Sequence, residues 1–227
     1  MKICTAIVCH DRSAYTKRTI ESWLETTKHA SPSPGLVIVD NASSDDTREY
    51  LQRYVGRCPV VFNEQNLFPG AATNIGWHEY LKQGDADLLH RSDNDVEYLP
   101  GWYRAVEQKF TELPHLGQLG ILNAHEDYPG GPPWAERWGL YHTLPGGNCV
   151  IRRELWEEGF RWEAGRWQPG GNDEDTKASL QIQQNGWLVG RLVETVAHNI
   201  SFHRFNEYPQ YYRTTAALRG LVPETSV

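Results

Sequence analysis

The chain has 227 residues, of which 39% are hydrophobic and 22% charged, and its formal net charge is −7. That length and balance predict one globular domain and exclude a disordered or fibrous chain. The negative charge argues against holding nucleic acid by bulk electrostatics, and no apolar run approaches the roughly 20 residues of a membrane helix.

Apolar, β-branched runs alternate with amphipathic stretches along the first half. Ile3–Cys9 reads as a buried strand and is too short for the apolar region and cleavage site of a signal peptide, which predicts a cytoplasmic chain. A helix is expected over 16–27, a strand over 36–39 ending at Asp40, and a helix from the caps Ser43, Ser44 and Asp45 to Tyr54. A strand over 60–62, a helix over 70–81 and a strand over 86–89 follow, the last running into Ser92, Asp93, Asn94 and Asp95. A helix over 101–113 and a strand over 119–122 complete the regular part. This alternation predicts a mostly parallel sheet with helices on both faces, whose ligands sit at the C-terminal strand ends where Asp40 and the 93–95 cluster fall.

The second half is less regular. Residues 127–147 are rich in Gly, Pro and Trp and read as a long functional loop. A strand over 149–151, a short helix over 153–158 and a loop over 162–171 come next. A helix opens at Asp173 or Glu174 and closes at Gly186, and 187–196 reads as a last strand. The polar, aromatic tail from His198 is expected to wrap the site. One domain is predicted over 1–227, with halves at 1–100 and 101–200 and a tail at 201–227. Cys4, Cys9, Cys58 and Cys149 form no CxxC pair and are expected as reduced thiols.

Asp93-Asn94-Asp95 carries the chemical argument. A diphosphate leaving group concentrates negative charge, and a hard divalent cation held by carboxylate oxygens and water neutralises it. Two aspartates flanking one residue just past a strand can put one carboxylate on the metal and the other on the metal's water or a ribose. Asp-x-Asp also occurs in solvated turns, so context decides: the preceding strand, Val96, and the helix entry Pro100-Gly101-Trp102.

In that context the chain resembles glycosyltransferase family 2. The residues that carry the likeness are Ile7-Val8-Cys9-His10-Asp11-Arg12, the run from Val37 to Thr47 around Asp40, Asn66 to Gly76 with Asn74, Ser92 to Val96, Gly146-Gly147-Asn148, and Glu174-Asp175. The resemblance implies the GT-A fold, a Rossmann-like, mostly parallel α/β sheet flanked by helices with an irregular acceptor-binding half after a nucleotide-sugar-binding half. It implies an inverting, metal-dependent transferase that uses a nucleotide-diphosphate sugar, in this family commonly a UDP-sugar, with Mn²⁺ or Mg²⁺. Asp40 would accept a hydrogen bond from the nucleobase, and His10, Arg12, Asn74, Asp93 and Asn94 would line the donor site. Asp95 would ligate the metal with Asp93 in its shell, and His198 would complete it, with His203 as competitor. Asp175 would be the general base, with Glu174 as second choice. The chain departs from the family pattern at Lys177, Gln181 and Phe68-Pro69.

Two rivals are weighed against this. A nucleotidyltransferase would carry a Gly-rich loop after the first strand, where Cys9-His10-Asp11-Arg12-Ser13 has no glycine. An inactive nucleotide- or carbohydrate-binding relative would be expected to lack an acidic site residue, yet Asp40, Asp93, Asp95 and Asp175 are all present. The acceptor stays open among a glycan, a small molecule and a modified nucleic-acid base. Arg152, Arg153, Arg161 and Arg166 beside Trp156, Trp162 and Trp167 would suit phosphates and bases, or an ordinary surface over a tryptophan-rich core, the favoured reading.

Overall fold

The structure is a computed structural model that describes residues 1–122, 148–163, 174–192, 194–201 and 206–211. Its centre is a seven-stranded sheet in the order β3-β2-β1-β4-β7-β6-β8. Strands β1 (Ile3–Cys9), β2 (Gly35–Asp40), β3 (Val60–Phe62) and β4 (Leu88–Asp93) run parallel. Strand β7 (Asn148–Arg152) is antiparallel to both β4 and β6 (Leu116–Gly120), and β8 (Leu188–Arg191) pairs parallel with β6. All seven residues of β1 are buried, because helices cover both faces of a parallel sheet and both faces must then be apolar.

Residue parity sorts the two cores. Ile3, Ile7 and Leu88 pack with Trp23 of α1 (Ser13–Thr27), Tyr50 of α2 (Thr47–Leu51) and Trp102 of α4 (Trp102–Glu112). Cys4, Ala6, Val8 and Leu89 pack on the other face with Trp77 of α3 (Phe68–Leu81), Trp156 of α5 (Arg153–Glu157) and Ile182 of α6 (Glu174–Gln184). Gly76 lets α3 sit directly on the sheet, since a Cβ there would stand 2.9 Å from Val39 Cγ2. The mostly parallel α/β architecture expected from the sequence is the one observed.

The structure corrects several boundaries. The strand expected at 86–89 is Leu88–Asp93, so Asp93 lies within the sheet rather than after it. The stretch read as one strand over 187–196 is instead divided. Leu192 turns its N–H to Gly120 O at 3.0 Å, and the chain leaves for β9 (Ala197–Asn199). There it forms a separate antiparallel pair with β5 (Val96–Tyr98), a strand the apolar pattern did not signal. The helix expected from 43 to 54 shortens to α2 and a 3-10 turn, because Asp45 and Ser43 are drawn into the loop after β1. The 127–147 loop and most of the 162–171 loop lie outside the described residues. Cys4, Cys9, Cys58 and Cys149 are free thiols.

Candidate active site

The order β2-β1-β4 makes β1 the strand at which the sheet changes direction of growth, the place where parallel sheets open a crevice at their C-terminal ends. Two loops meet there. Asp11 and Arg12 both take left-handed backbone conformations, with φ of 50° and 59°, rare for residues with side chains. The loop after β2 holds them in place. Asp11 Oδ1 accepts from Ser44 N at 2.6 Å, Asp11 N donates to Ser43 Oγ at 2.9 Å, and Ser13 N donates to Asp45 Oδ2 at 2.9 Å.

Held this way, Arg12 reaches across β1 to the end of β4. Its Nη1 donates to Asp95 Oδ2 at 2.9 Å and its Nη2 to Asn94 Oδ1 at 2.7 Å. Asn94 donates in turn to Asp11 O and to Thr16 Oγ1, both at 2.8 Å, so it braces the start of α1 while facing the cleft. His10, Arg12, Asp93, Asn94, Phe68 and Tyr211 line this cleft. Tyr211 stands over the Arg12 guanidinium at 4.2 Å, and Tyr208 packs edge-on against Tyr15 at 5.1 Å, so described parts of the tail do lie against the site.

The cleft holds unsatisfied polarity. His10 Nδ1, Asp40 Oδ2 and Asp93 Oδ1 are enclosed without a hydrogen-bond partner. Buried polar atoms are ordinarily paired, so an unpaired one calls for an explanation, and a ligand is one that a cleft allows. Burial pushes the Asp93 carboxyl up to about 6, with Arg91 opposing and Asp95 and Glu174 adding to the rise. Burial likewise raises Asp40, against the Ser43 hydrogen bonds and the Arg48 guanidinium 3.8 Å away.

Asp93 and Asp95 stand two residues apart at the end of β4, where a divalent cation is expected. Among the described residues no group of three or more His, Cys, Asp or Glu side chains could hold a metal. Ions such as Mg²⁺ are commonly bound by one or two carboxylates and completed by substrate phosphates and water, and the enclosed Asp93 Oδ1 offers such a ligand. Asp95 Oδ2 is engaged by Arg12 and by Ser201 Oγ at 2.6 Å. His198 lies in β9 opposite Glu97, whose carboxylate binds Arg18, and His203 is outside the described residues.

On the α6 side, Arg91 binds both expected base candidates. It donates to Glu174 Oε1 at 2.5 Å and to Asp175 Oδ1 at 3.1 Å, with its guanidinium 4.6 Å from the Trp162 ring. Glu174 Oε2 also accepts from Gly70 N at 3.2 Å. A Cβ at Gly70 would approach that oxygen to 2.7 Å, so this contact needs glycine. Asn74, expected at the donor site, exchanges two hydrogen bonds with the Trp162 main chain, at 2.8 and 3.1 Å, which fastens α3 to the segment after α5, and it is not in the lining of the cleft.

Sequence reasoning passed over Arg91, Ser201 and Tyr211. A signal existed for Arg91, since His90-Arg91 interrupts an apolar strand and a charge in a buried strand demands a partner. For Ser201 and Tyr211 no local pattern pointed to the cleft. The arginines near the tryptophans are spent internally. Arg152 donates to the carbonyls of Leu116 and Phe110, Arg161 to those of Trp156 and Phe160, and Arg153 pairs with Glu157. Arg166 and Trp167 are outside the described residues.

Residues 4–170 match the family model described as glycosyl transferase family 2. A "Probable glycosyltransferase YdaM" from Bacillus subtilis (strain 168) is 21% identical over 210 residues, covering 83% of this chain but 48% of that protein, so the chain spans about half its length. The mannosyltransferase PcManGT from Pyrobaculum calidifontis, solved with GDP-Man and Mn²⁺, superposes over 96% of this chain and 62% of its own, with a TM-score of 0.69 and 13% identity. Residues 1–349 of TarS from S. aureus, solved with UDP-GlcNAc, superpose over 96% of this chain and 66% of that one, with a TM-score of 0.64 and 16% identity.

Proposed function

The chain belongs to glycosyl transferase family 2, and from that premise we propose that it moves a sugar from a nucleotide-diphosphate sugar to an acceptor hydroxyl with inversion at the anomeric carbon. The observation that carries the reading is the cleft at the ends of β1 and β4, in whose lining His10 Nδ1 and Asp93 Oδ1 have no hydrogen-bond partner, with the buried Asp40 carboxylate beside it at the end of β2, 3.8 Å from the Arg48 guanidinium. A nucleotide sugar has complementary groups: a base edge with an imino N–H, ribose hydroxyls and a diphosphate. In this reading Asp40 accepts from the nucleobase, and a UDP-sugar is the donor. His10, Arg12 and Asn94 shape the cleft wall.

Asp93 and Asp95 would hold a divalent cation, Mn²⁺ or Mg²⁺, which when bound supplies charge neutralisation for the departing diphosphate. Arg12 lines the same wall, with its guanidinium held on Asp95 and Asn94, and would add positive charge beside the diphosphate. Asp175 accepts the proton of the acceptor hydroxyl as the new bond to the anomeric carbon forms and the bond to the diphosphate oxygen breaks. It suits this role better than Glu174, whose two oxygens are taken by Arg91 and Gly70 and whose side chain is 8% exposed against 18% for Asp175. The acceptor in this reading is a glycan or a small molecule. Net charge −7 and inwardly bonded arginines give the described surface little footing for nucleic acid.

Two measurements test this. Calorimetry with UDP, GDP, CDP and ADP should show binding of UDP that weakens in Asp40→Ala, and equal affinity of wild type and variant for every nucleotide would remove Asp40 from the site. Proton NMR of a transfer product should show inverted anomeric configuration, and retention would rule out a single displacement.

A further inference from the structure

Arg91 is only 2% exposed, and a guanidinium so enclosed persists only where carboxylates surround it. Burial opposes its charge, but Glu174, Asp175 and Asp93 more than offset this and hold its pKa above the ordinary arginine value. Its place follows from β4. Leu89, Arg91 and Asp93 share one face of the strand, and Cys149 of β7 stands directly opposite Arg91 in the register. From there the guanidinium crosses to the first turn of α6, placing one Nη on Glu174 and the other on Asp175, with Trp162 closing over its plane. Two planar donors on two adjacent carboxylates is a fork that lysine cannot reproduce.

We propose that Arg91 is the positioning residue that sets Asp175 relative to the departing diphosphate, so that one strand carries both the carboxylate facing the leaving group, Asp93, and the cation that aims the proton acceptor. This rests on the glycosyl-transfer reading of the same site. The rigid path runs Asp93, Arg91, Asp175, with a separation of two residues along β4 and one ion pair beyond it. Glu174, anchored to Arg91 and to Gly70 N–H, fixes the start of α6 and leaves Asp175 the more exposed of the pair. A base misplaced by about 1 Å costs on the order of a hundredfold in rate, so such a linkage has a kinetic signature separate from folding.

The test is a double-variant cycle on the full chain, reading cleavage of UDP-GlcNAc and GDP-mannose in Mn²⁺, with calorimetry for UDP and GDP. Arg91→Lys is expected to lower kcat about ten- to hundredfold while donor KM and nucleotide affinity stay within about twofold. Arg91→Lys combined with Asp175→Asn should be no slower than Asp175→Asn alone, within about threefold, because Arg91 acts through Asp175. Losses that multiply in the double variant, or a fall in nucleotide affinity matching the fall in kcat, would overturn the assignment. If Arg91→Lys does not fold, Trp162→Phe, which loosens the stacked guanidinium while keeping an aromatic ring beside Phe160, takes its place in the cycle with the same expectation and the same overturning result. A wild type that binds nucleotide but cleaves neither donor would overturn the transfer reading and this proposal with it, whereas an active wild type with a multiplicative cycle overturns this proposal alone.

Discussion

Two arginine–carboxylate clusters lie near Asp93 at the end of β4, and they are built differently. Arg12 lies on the cleft wall, held by a left-handed loop, bonded to Asp95 and Asn94 and stacked under Tyr211 of the tail. Arg91 lies between strand and helix, bonded to Glu174 and Asp175 and covered by Trp162. The first cation borders the space a donor would fill and is reached by loops; the second is sealed among regular elements. On the proposed reading the contrast is a division of labour, in which the cation on the cleft wall serves binding and the cation locked between β4 and α6 serves geometry. It also predicts that lysine substitutions of the two arginines fall on different kinetic constants.

The largest effect is expected at the sealed cluster. Asp175→Asn should lower donor cleavage about a hundred- to ten-thousandfold, the usual worth of a positioned proton acceptor. Nucleotide affinity by calorimetry should hardly move. Retained activity in Asp175→Asn with loss in Glu174→Gln would shift the base by one residue.

The next effect strikes both clusters together, because both hang on β4. His90 is fully buried on the opposite face, its Nδ1 3.1 Å from Thr5 Oγ1, its Nε2 bonded to Asn148 Oδ1, and Trp23 Nε1 donating to the same threonine at 2.9 Å. Burial lowers its pKa to about 4, with Asn148 opposing. The unfolded imidazole takes a proton below about pH 6.5 and the folded one only near pH 4, so the unfolded chain is favoured as pH falls through that window. The loss approaches about 3 kcal/mol by pH 4. Unfolding free energies from denaturant titrations at pH 7 to 4 should fall more steeply in wild type than in His90→Gln, the difference approaching that amount. Parallel slopes would separate His90 from the acid response.

At the open cluster, Asp95→Asn should lower turnover by about a hundredfold, the scale of one lost electrostatic stabiliser, without unfolding the protein. Full wild-type activity in excess chelator would break the cation reading at this end of β4. The smallest effect belongs to Arg12→Lys. Exchange of the fork for a point charge should weaken UDP binding about tenfold with kcat nearly intact, the reverse of the pattern expected at Arg91. If Arg12→Lys instead lowered kcat with affinity unchanged, the division of labour between the two arginines would fail.

Much of the first half was legible before any coordinates. Ile3–Cys9 and the strand ending at Asp40 read correctly because both faces of a parallel sheet are covered, so buried strands appear as continuous apolar runs. The same reading fell short at β5 and β9, three residues each, whose pairing depends on a partner about a hundred positions away. The amide of Asn74, a residue expected at the donor site, bonds to the main chain of Trp162, 88 residues on, a contact no local pattern signals.

The sequence by itself determined the alternation of strands and helices and the placing of aspartates at strand ends, because those follow from periodicity and from residues within a turn of one another. Tertiary structure alone decided which cation each carboxylate meets. Arg12 is 83 residues from Asp95, Arg91 is 84 from Asp175, and Ser201 is 106 from Asp95. Such partners are chosen by which strands become neighbours and which face each side chain takes. A charge inside an apolar strand signals that a partner must exist, but only packing shows that Arg91, buried in β4, finds its carboxylates on α6.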